Sequence, residues 1–264
     1  MKTTICQTRL TLKHNRIQRT FFLLAAAILL AGTARAEDNT STVISSVVSN
    51  NGGADFYVGN TGTNNNLTIR SGGVLTNVNY SYIGNASGAS NNIATVTGTG
   101  SAWINSGLLY VGNGGANNSL TITNSGFVRN VNGIIGEGSG SSNNRVLVSD
   151  GGSVWSNTYN FYVGDYGAGN SLTISNGGVV VNVGGTVGYY SSSINNTVLV
   201  TGANSVWRNT DDLDFGLGGA SNTLMITNGG AVYNVNGYLG FNSSSRNNSA
   251  VVSCCELFSG RIFG

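Results

Sequence analysis

The 264-residue sequence has no proline, one histidine (His14) and three cysteines, and charged side chains make up only 8% of it. Each shortage excludes something. Twelve Lys and Arg residues without a cluster cannot neutralise a run of phosphates, so no nucleic-acid partner is expected. With 40 Gly and 38 Asn, a mainly helical chain is excluded, because Gly in a helix interior costs roughly 1 kcal/mol relative to Ala. A hydrophobic share of 40% still supplies a core and argues against global disorder.

Residues 1–36 read as a signal peptide rather than as part of the fold. Lys2, Arg9, Lys13, Arg16 and Arg19 form a basic stretch, residues 21–30 (FFLLAAAILL) an apolar run, and Ala34-Arg35-Ala36 a small-x-small cleavage pattern before Glu37. The apolar run is too short to span a bilayer, which takes about 20 residues. The expectation is Sec-dependent export to the periplasm, the cell surface or the medium. The remaining chain then has no Lys and no His, and six Arg against ten acidic residues give it a net charge of −4. Histidine-dependent catalysis and ordinary zinc sites are thereby excluded, and no metal or cofactor is expected. Cys254 and Cys255, adjacent near the end, make no disulfide framework.

What is present is a repeat. Trp103, Trp155 and Trp207 stand 52 residues apart, and each 52-residue unit divides into two similar halves. A leading Asn heads every half, at Asn65, Asn92, Asn118, Asn144, Asn170, Asn196, Asn222 and Asn248. A trailing Asn follows 12 or 13 residues later, at Asn77, Asn105, Asn130, Asn157, Asn182, Asn209 and Asn234. A Gly column runs through Gly59, Gly84, Gly112, Gly136, Gly164, Gly188, Gly216 and Gly240. After each leading Asn, apolar residues sit at +2 and +4, as in Leu120/Ile122 and Leu172/Ile174, which is the two-residue period of a half-buried strand. Two further strands per half end at the Gly and at the trailing Asn. Gly-Gly pairs such as Gly72-Gly73 and Gly177-Gly178 supply corners that need positive φ.

Three short strands and three corners in about 26 residues describe one coil of a parallel β-helix. The expected fold is therefore all-β, a right-handed parallel β-helix of about eight coils, forming a rod of roughly 40 Å at ~4.8 Å per coil. The expected organisation is a signal peptide (1–36), an N-terminal linker or cap (37–52), β-helix repeats (53–253) and a non-repeat, truncated tail (254–264). The trailing Asn column is expected to form a structural ladder of stacked side chains. The three Trp are expected to fill the core in alternate coils, in the column held elsewhere by Leu75, Val128, Val180 and Val232.

The pattern YVGxxGxxNSLTIxNGGxVxN followed by GxxGxxxSxNNxVxVTGxxSxWxN recurs over residues 110–157 and 162–209. It resembles the repeats of autotransporter-type passenger domains of Gram-negative bacteria, over about 200 residues. The resemblance implies export, display at the cell surface and a structural or adhesive role rather than catalysis. The partner it implies is a cell-surface or extracellular glycan or protein receptor; separately, the unpaired strand edge at the end of the repeats gives an expectation of end-to-end self-association. In that family an outer-membrane barrel follows the passenger; no barrel sequence follows here, and the repeat register breaks at Cys254.

Two sets of residues carry candidate chemistry. Tyr57, Tyr82, Tyr110, Tyr162 and Tyr238 occupy one outward column, a stripe able to stack on sugar rings or simply to cover the sheet. Asp212 and Asp214, at i and i+2, would share a strand face about 7 Å apart, a spacing that suits an inverting glycosidase. They define the alternative reading, a polysaccharide-cleaving β-helix, with Arg208 and Arg246 the only cations available to such a site. The Thr pairs Thr95/Thr97 and Thr121/Thr123 do not persist as an array, and calcium-binding nonapeptides and P-loops are absent.

Overall fold

A computed structural model describes residues 35–36, 39–77, 79–253 and 258–263. Every element in those residues is a short strand, and every pairing is parallel. The chain is a β-solenoid of about eight turns repeating near 26 residues, with three faces. The second face is the most regular, with nine stacked rungs from Ser41–Ser45 to Ser249–Ser253. Its register follows the sequence columns: Leu120 lies beside Val146 and Ile122 beside Val148. The first face stacks three-residue strands such as Phe56–Val58 and Phe161–Val163, and the third stacks four-residue strands such as Val74–Asn77 and Val179–Asn182. First and third faces merge near the end, where Ala231–Leu239 runs through both as one nine-residue strand.

The stack reaches beyond the repeats at both ends. In the stretch expected to be a linker or cap, Ser41–Ser45 pairs with Asn66–Arg70 and Val48–Asn50 with Val74–Thr76. Arg35–Ala36 pairs with Tyr57–Val58; the rest of the expected signal peptide lies outside the described residues. In the tail expected to break the repeat, Phe258–Phe263 adds a parallel strand to Ala231–Leu239, with an irregular register between Tyr233 and Asn236. Cys254 and Cys255 lie outside the described residues.

The core is one continuous cluster along the axis. Alternation places Leu67, Ala94, Leu120, Val146, Leu172, Val198 and Leu224 inward, all 2% exposed or less. Trp103, Trp155 and Trp207 are fully buried and alternate with Leu75, Val128, Val180 and Val232 up one column, as the spacing of 52 requires. Fitting an indole into every second coil needs compensation across the core. A Cβ on Gly133 would stand 2.8 Å from the Trp155 ring, and one on Gly185 2.9 Å from the Trp207 ring. Large and small residues therefore alternate on two faces at once, which keeps packing near interior density. Phe161 sits between Trp155 and Trp207, edge-on to both at 4.9 and 6.1 Å.

Candidate functional site

The trailing Asn column was expected to form the ladder; in the structure the leading column does. From Asn65 to Asn248, each backbone N–H donates to the Oδ1 of the next leading Asn at 2.8–3.0 Å. The Nδ2 groups add bonds to the same acceptors at 2.8–3.1 Å, except at Asn170, whose Nδ2 has no partner. The Gly column makes room for this ladder. Gly112 and Gly136 have φ of 78° and 77°, and a Cβ on either would collide with the side chain of Asn144 or Asn170 in the next coil.

The trailing column is buried but forms no continuous ladder. Asn130 donates to Asn157 at 2.7 Å and Asn182 to Asn209 at 2.6 Å. Asn157 and Asn209 then turn to the backbone carbonyls of Val181 and Tyr233. Asn77 donates to Ser81 Oγ, which donates to Asn105 Oδ1 at 2.6 Å. Asn234 has no hydrogen-bond partner on either side-chain atom. The acceptors that a ladder would need are taken by tryptophan: Trp155 Nε1 donates to Asn130 Oδ1 at 2.6 Å, and Trp207 Nε1 to Asn182 Oδ1 at 2.8 Å. The expected ladder of Asn77, Asn105, Asn130, Asn157, Asn182, Asn209 and Asn234 is therefore corrected to a set of pairs. The spacing carried no warning of this: trailing residues from Asn105 onward alternate 25 and 27 apart, yet the strands stay in register and Asn130 lies beside Asn157.

The tyrosine stripe faces outward, half-buried, at all five positions. Tyr57, Tyr82 and Tyr110 stack on one another at 5.1 and 5.0 Å with rings within 9° of parallel. The coil spacing forces this, since parallel rungs lie ~4.8 Å apart. The ring faces inside the stack are therefore spent on each other, and the surface shows edges and hydroxyls. Burial, with Asp55 nearby, pushes the Tyr82 hydroxyl up to about 12. Ile134 interrupts the column, Tyr162 turns edge-on to Tyr189 at 5.7 Å, and Tyr238 packs edge-on to Phe241 at 5.9 Å.

Asp212 and Asp214 are not equivalent. Asp212 Oδ1 accepts from the backbone N–H and Nδ2 of Asn236 at 3.0 and 2.8 Å, so it fastens one coil to the next. Asp214 lies in the first face between Thr186 and Tyr238, and burial followed by the Asp212 charge raises its pKa. Arg208 covers the ring of Tyr233 at 4.5 Å on the third face, while Arg246 is exposed at a corner.

A different acid pair was missed by sequence reasoning. The residue after each column Gly stacks from coil to coil, and Asn60, Asn85 and Asn113 bond there through their carboxamides at 2.7 and 2.9 Å. Glu137 and Asp165 take the next two places. A carboxamide both donates and accepts, so a stack of them is self-complementary; two carboxyls can bond only by sharing a proton. Asp165 is pushed up to about 7 by burial, then by the Glu137 charge and the hydrogen bond between them. Burial also raises Glu137, while its hydrogen bond with Asp165 works the other way. The backbone N–H groups of Tyr166 and Tyr190 donate to the carbonyls of Glu137 and Asp165, and their rings stack at 3.9 Å. The position after Gly136 and Gly164 was visible in the repeat, but only the fold shows that it is a stacking position.

On the second face the outward residues form a different surface. Over the eight rungs from Asn66–Arg70 to Ser249–Ser253, Ser or Thr fills sixteen of the twenty-four outward places and no acid occurs. A shallow groove of about 580 Å³ opens there, lined by Thr121, Arg145, Leu147, Ser171, Thr173 and Thr197 among others. Comparison with protein-family profiles, with curated proteins and with solved structures finds no match to this chain.

Proposed function

We propose that this chain is a secreted or surface-displayed β-solenoid with a structural and adhesive role, and that it is not a catalyst. The observation that carries the reading is where the polar groups go. The buried Asn columns, the Gly column and Asp212 are all used to join one coil to the next, and what remains outward is a long, repeated surface. Such a rod offers many equivalent contacts to an extended partner, a cell-surface or extracellular glycan or protein. The basic, apolar and small-x-small order of residues 1–36, together with the resemblance of the repeats to autotransporter passengers, supports export and surface display. The partners proposed exclude nucleic acid and allow a second copy at the rod ends.

The test has two arms. Fractionation and protease shaving of cells producing the full chain should find it outside the inner membrane, and the purified protein should adhere to host or bacterial surfaces. Retention in the cytoplasm would count against export. Incubation with pectin and alginate addresses the rival reading, a polysaccharide-cleaving enzyme using Asp212 and Asp214, which the raised pKa of Asp214 favours. New reducing or unsaturated ends, lost in Asp214→Asn, would replace adhesion by catalysis.

A further inference from the structure

The second face departs from its columns at several rungs, with Asn66, Ile93 and Arg145 in its first outward column and Ser221 in the Asn corner row, but only at one place do a corner glycine and a cation fall side by side. The glycine is at the corner leading into the face. Asn64, Asn91, Asn117, Asn143, Asn195 and Asn247 hold this position with φ of 57–59°, and all are exposed. Gly169 takes the place between Asn143 and Asn195, with φ of 68°, and leaves a gap in the row of carboxamides. A Cβ there would come 2.7 Å from Asn143 Oδ1. The cation is Arg145, one rung away, in a column held on adjacent rungs by Ser119 and Ser171. Arg145 is exposed and forms no ion pair among the described residues. The groove of about 580 Å³ lies where the two meet, and its size is within the ~300–1,000 Å³ range of ligand sites.

We propose that this groove binds a carboxylated polysaccharide, a chain of uronate sugars, lying along the second face. The assignment rests on complementarity. No acid stands at any outward position of the eight rungs from Asn66–Arg70 to Ser249–Ser253, and Asp150 lies on the turn after the Arg145 strand. The guanidinium of Arg145 is a planar fork that pairs with a carboxylate through two hydrogen bonds. Thr121, Thr173, Ser171 and Thr197 supply hydroxyls that donate to and accept from sugar hydroxyls, and Leu147 gives an apolar floor. Rungs at ~4.8 Å repeat these groups along the rod, which suits a polymer better than a single sugar. Without residues 1–36 the chain carries six Arg against ten acidic residues, so Arg145 on an acid-free face is where an anionic polymer meets least repulsion.

This inference rests on the reading of the rod as a non-catalytic contact surface, and one set of samples separates their failures. Calorimetric titration of the full chain with polygalacturonate should show binding that weakens with salt. Arg145→Gln should weaken it about tenfold or more, since a charge-assisted bidentate pair is lost. Gly169→Asn, which restores the carboxamide row and fills the gap, should also weaken it, with unchanged thermal unfolding. Arg208→Gln, on the third face, should not. Binding within twofold of wild type in both Arg145→Gln and Gly169→Asn would overturn the proposal, as would no binding at all. Equal binding of fully methyl-esterified pectin would remove the carboxylate, and equal binding of polyglutamate would remove the sugar. Adhesion to cells that survives in Arg145→Gln would leave the contact-surface reading standing; new chain ends in the titrated polymer would sink that reading itself.

Discussion

Two columns of asparagine run the length of this rod, both buried, and they do different work. The leading column is a continuous chain of amide bonds, each carboxamide serving as acceptor for the main chain of the coil before it. The trailing column is broken into pairs where the indoles of Trp155 and Trp207 take the acceptors of Asn130 and Asn182, while Trp103 Nε1 has no partner. The difference teaches that a conserved spacing of one residue type does not by itself make a ladder. The trailing residues lie at matching heights too, Asn77 beside Asn105 and Asn130 beside Asn157; what a ladder also needs is a free acceptor in every coil, and the indoles of Trp155 and Trp207 take those of Asn130 and Asn182. One face is thus held by repeated hydrogen bonds and the other by aromatic packing with hydrogen bonds attached.

The sharpest way to break this comparison is at the tryptophan. Trp155→Ala removes a fully buried indole and leaves Asn130 Oδ1 without its donor, and should cost about 3–5 kcal/mol in equilibrium urea unfolding. A loss under about 1 kcal/mol would mean that the third face does not depend on aromatic packing. Next comes the leading ladder. Asn144→Ala strips the acceptor from both the buried N–H and the Nδ2 of Asn118, and should cost about 3 kcal/mol, because unsatisfied buried donors carry a desolvation penalty. Asn157→Ala, in the trailing column, removes one acceptor for a side-chain amide and should cost about 1 kcal/mol. Equal losses at Asn144 and Asn157, measured in the same denaturant series, would erase the distinction between the columns.

The smallest effect sharpens the comparison at a third polar column, the one after the Gly. There the carboxamides of Asn60, Asn85 and Asn113 give way to Glu137 and Asp165. A carboxyl that binds its proton more tightly in the folded protein stabilises most below its unfolded value. That contribution is lost as pH rises through the folded value, here from 3.8 toward about 7 for Asp165. Wild-type stability should therefore fall between about pH 4 and pH 7 at this site and level off above. Asp165→Asn, which restores an amide, should flatten that part of the profile and unfold at a higher temperature than wild type at pH 8. A thermal-unfolding series across pH that is parallel for the two proteins would show that the pair does not share a proton.

Much of the fold was legible because its signals are local and repeated. The +2 and +4 apolar positions after Asn118 and Asn170 define inward residues of a strand by period alone, and Trp103, Trp155 and Trp207 announce a coil by their spacing. The strands at Ser41–Ser45 and Phe258–Phe263 were less legible because neither stretch repeats the columns, and their pairing depends on an edge supplied by a neighbouring coil. The outward direction of the tyrosines could be read from alternation. Their mutual stacking could not, because it depends on the distance between coils rather than on any one strand.

The sequence by itself determined the coil: its length, its three strands, its inward residues and the glycines at its corners. These follow from the two-residue period of a strand and from the backbone angles that only a few residue types adopt freely. Tertiary structure alone decided which of the two Asn columns carries the ladder, that Gly133 and Gly185 clear space for indoles, that Glu137 meets Asp165, and that Gly169 opens a gap beside Arg145. Each of these is a contact between residues more than 20 positions apart, or a space left among them. It is set by the height at which one coil lies on the next, a quantity that no single coil contains.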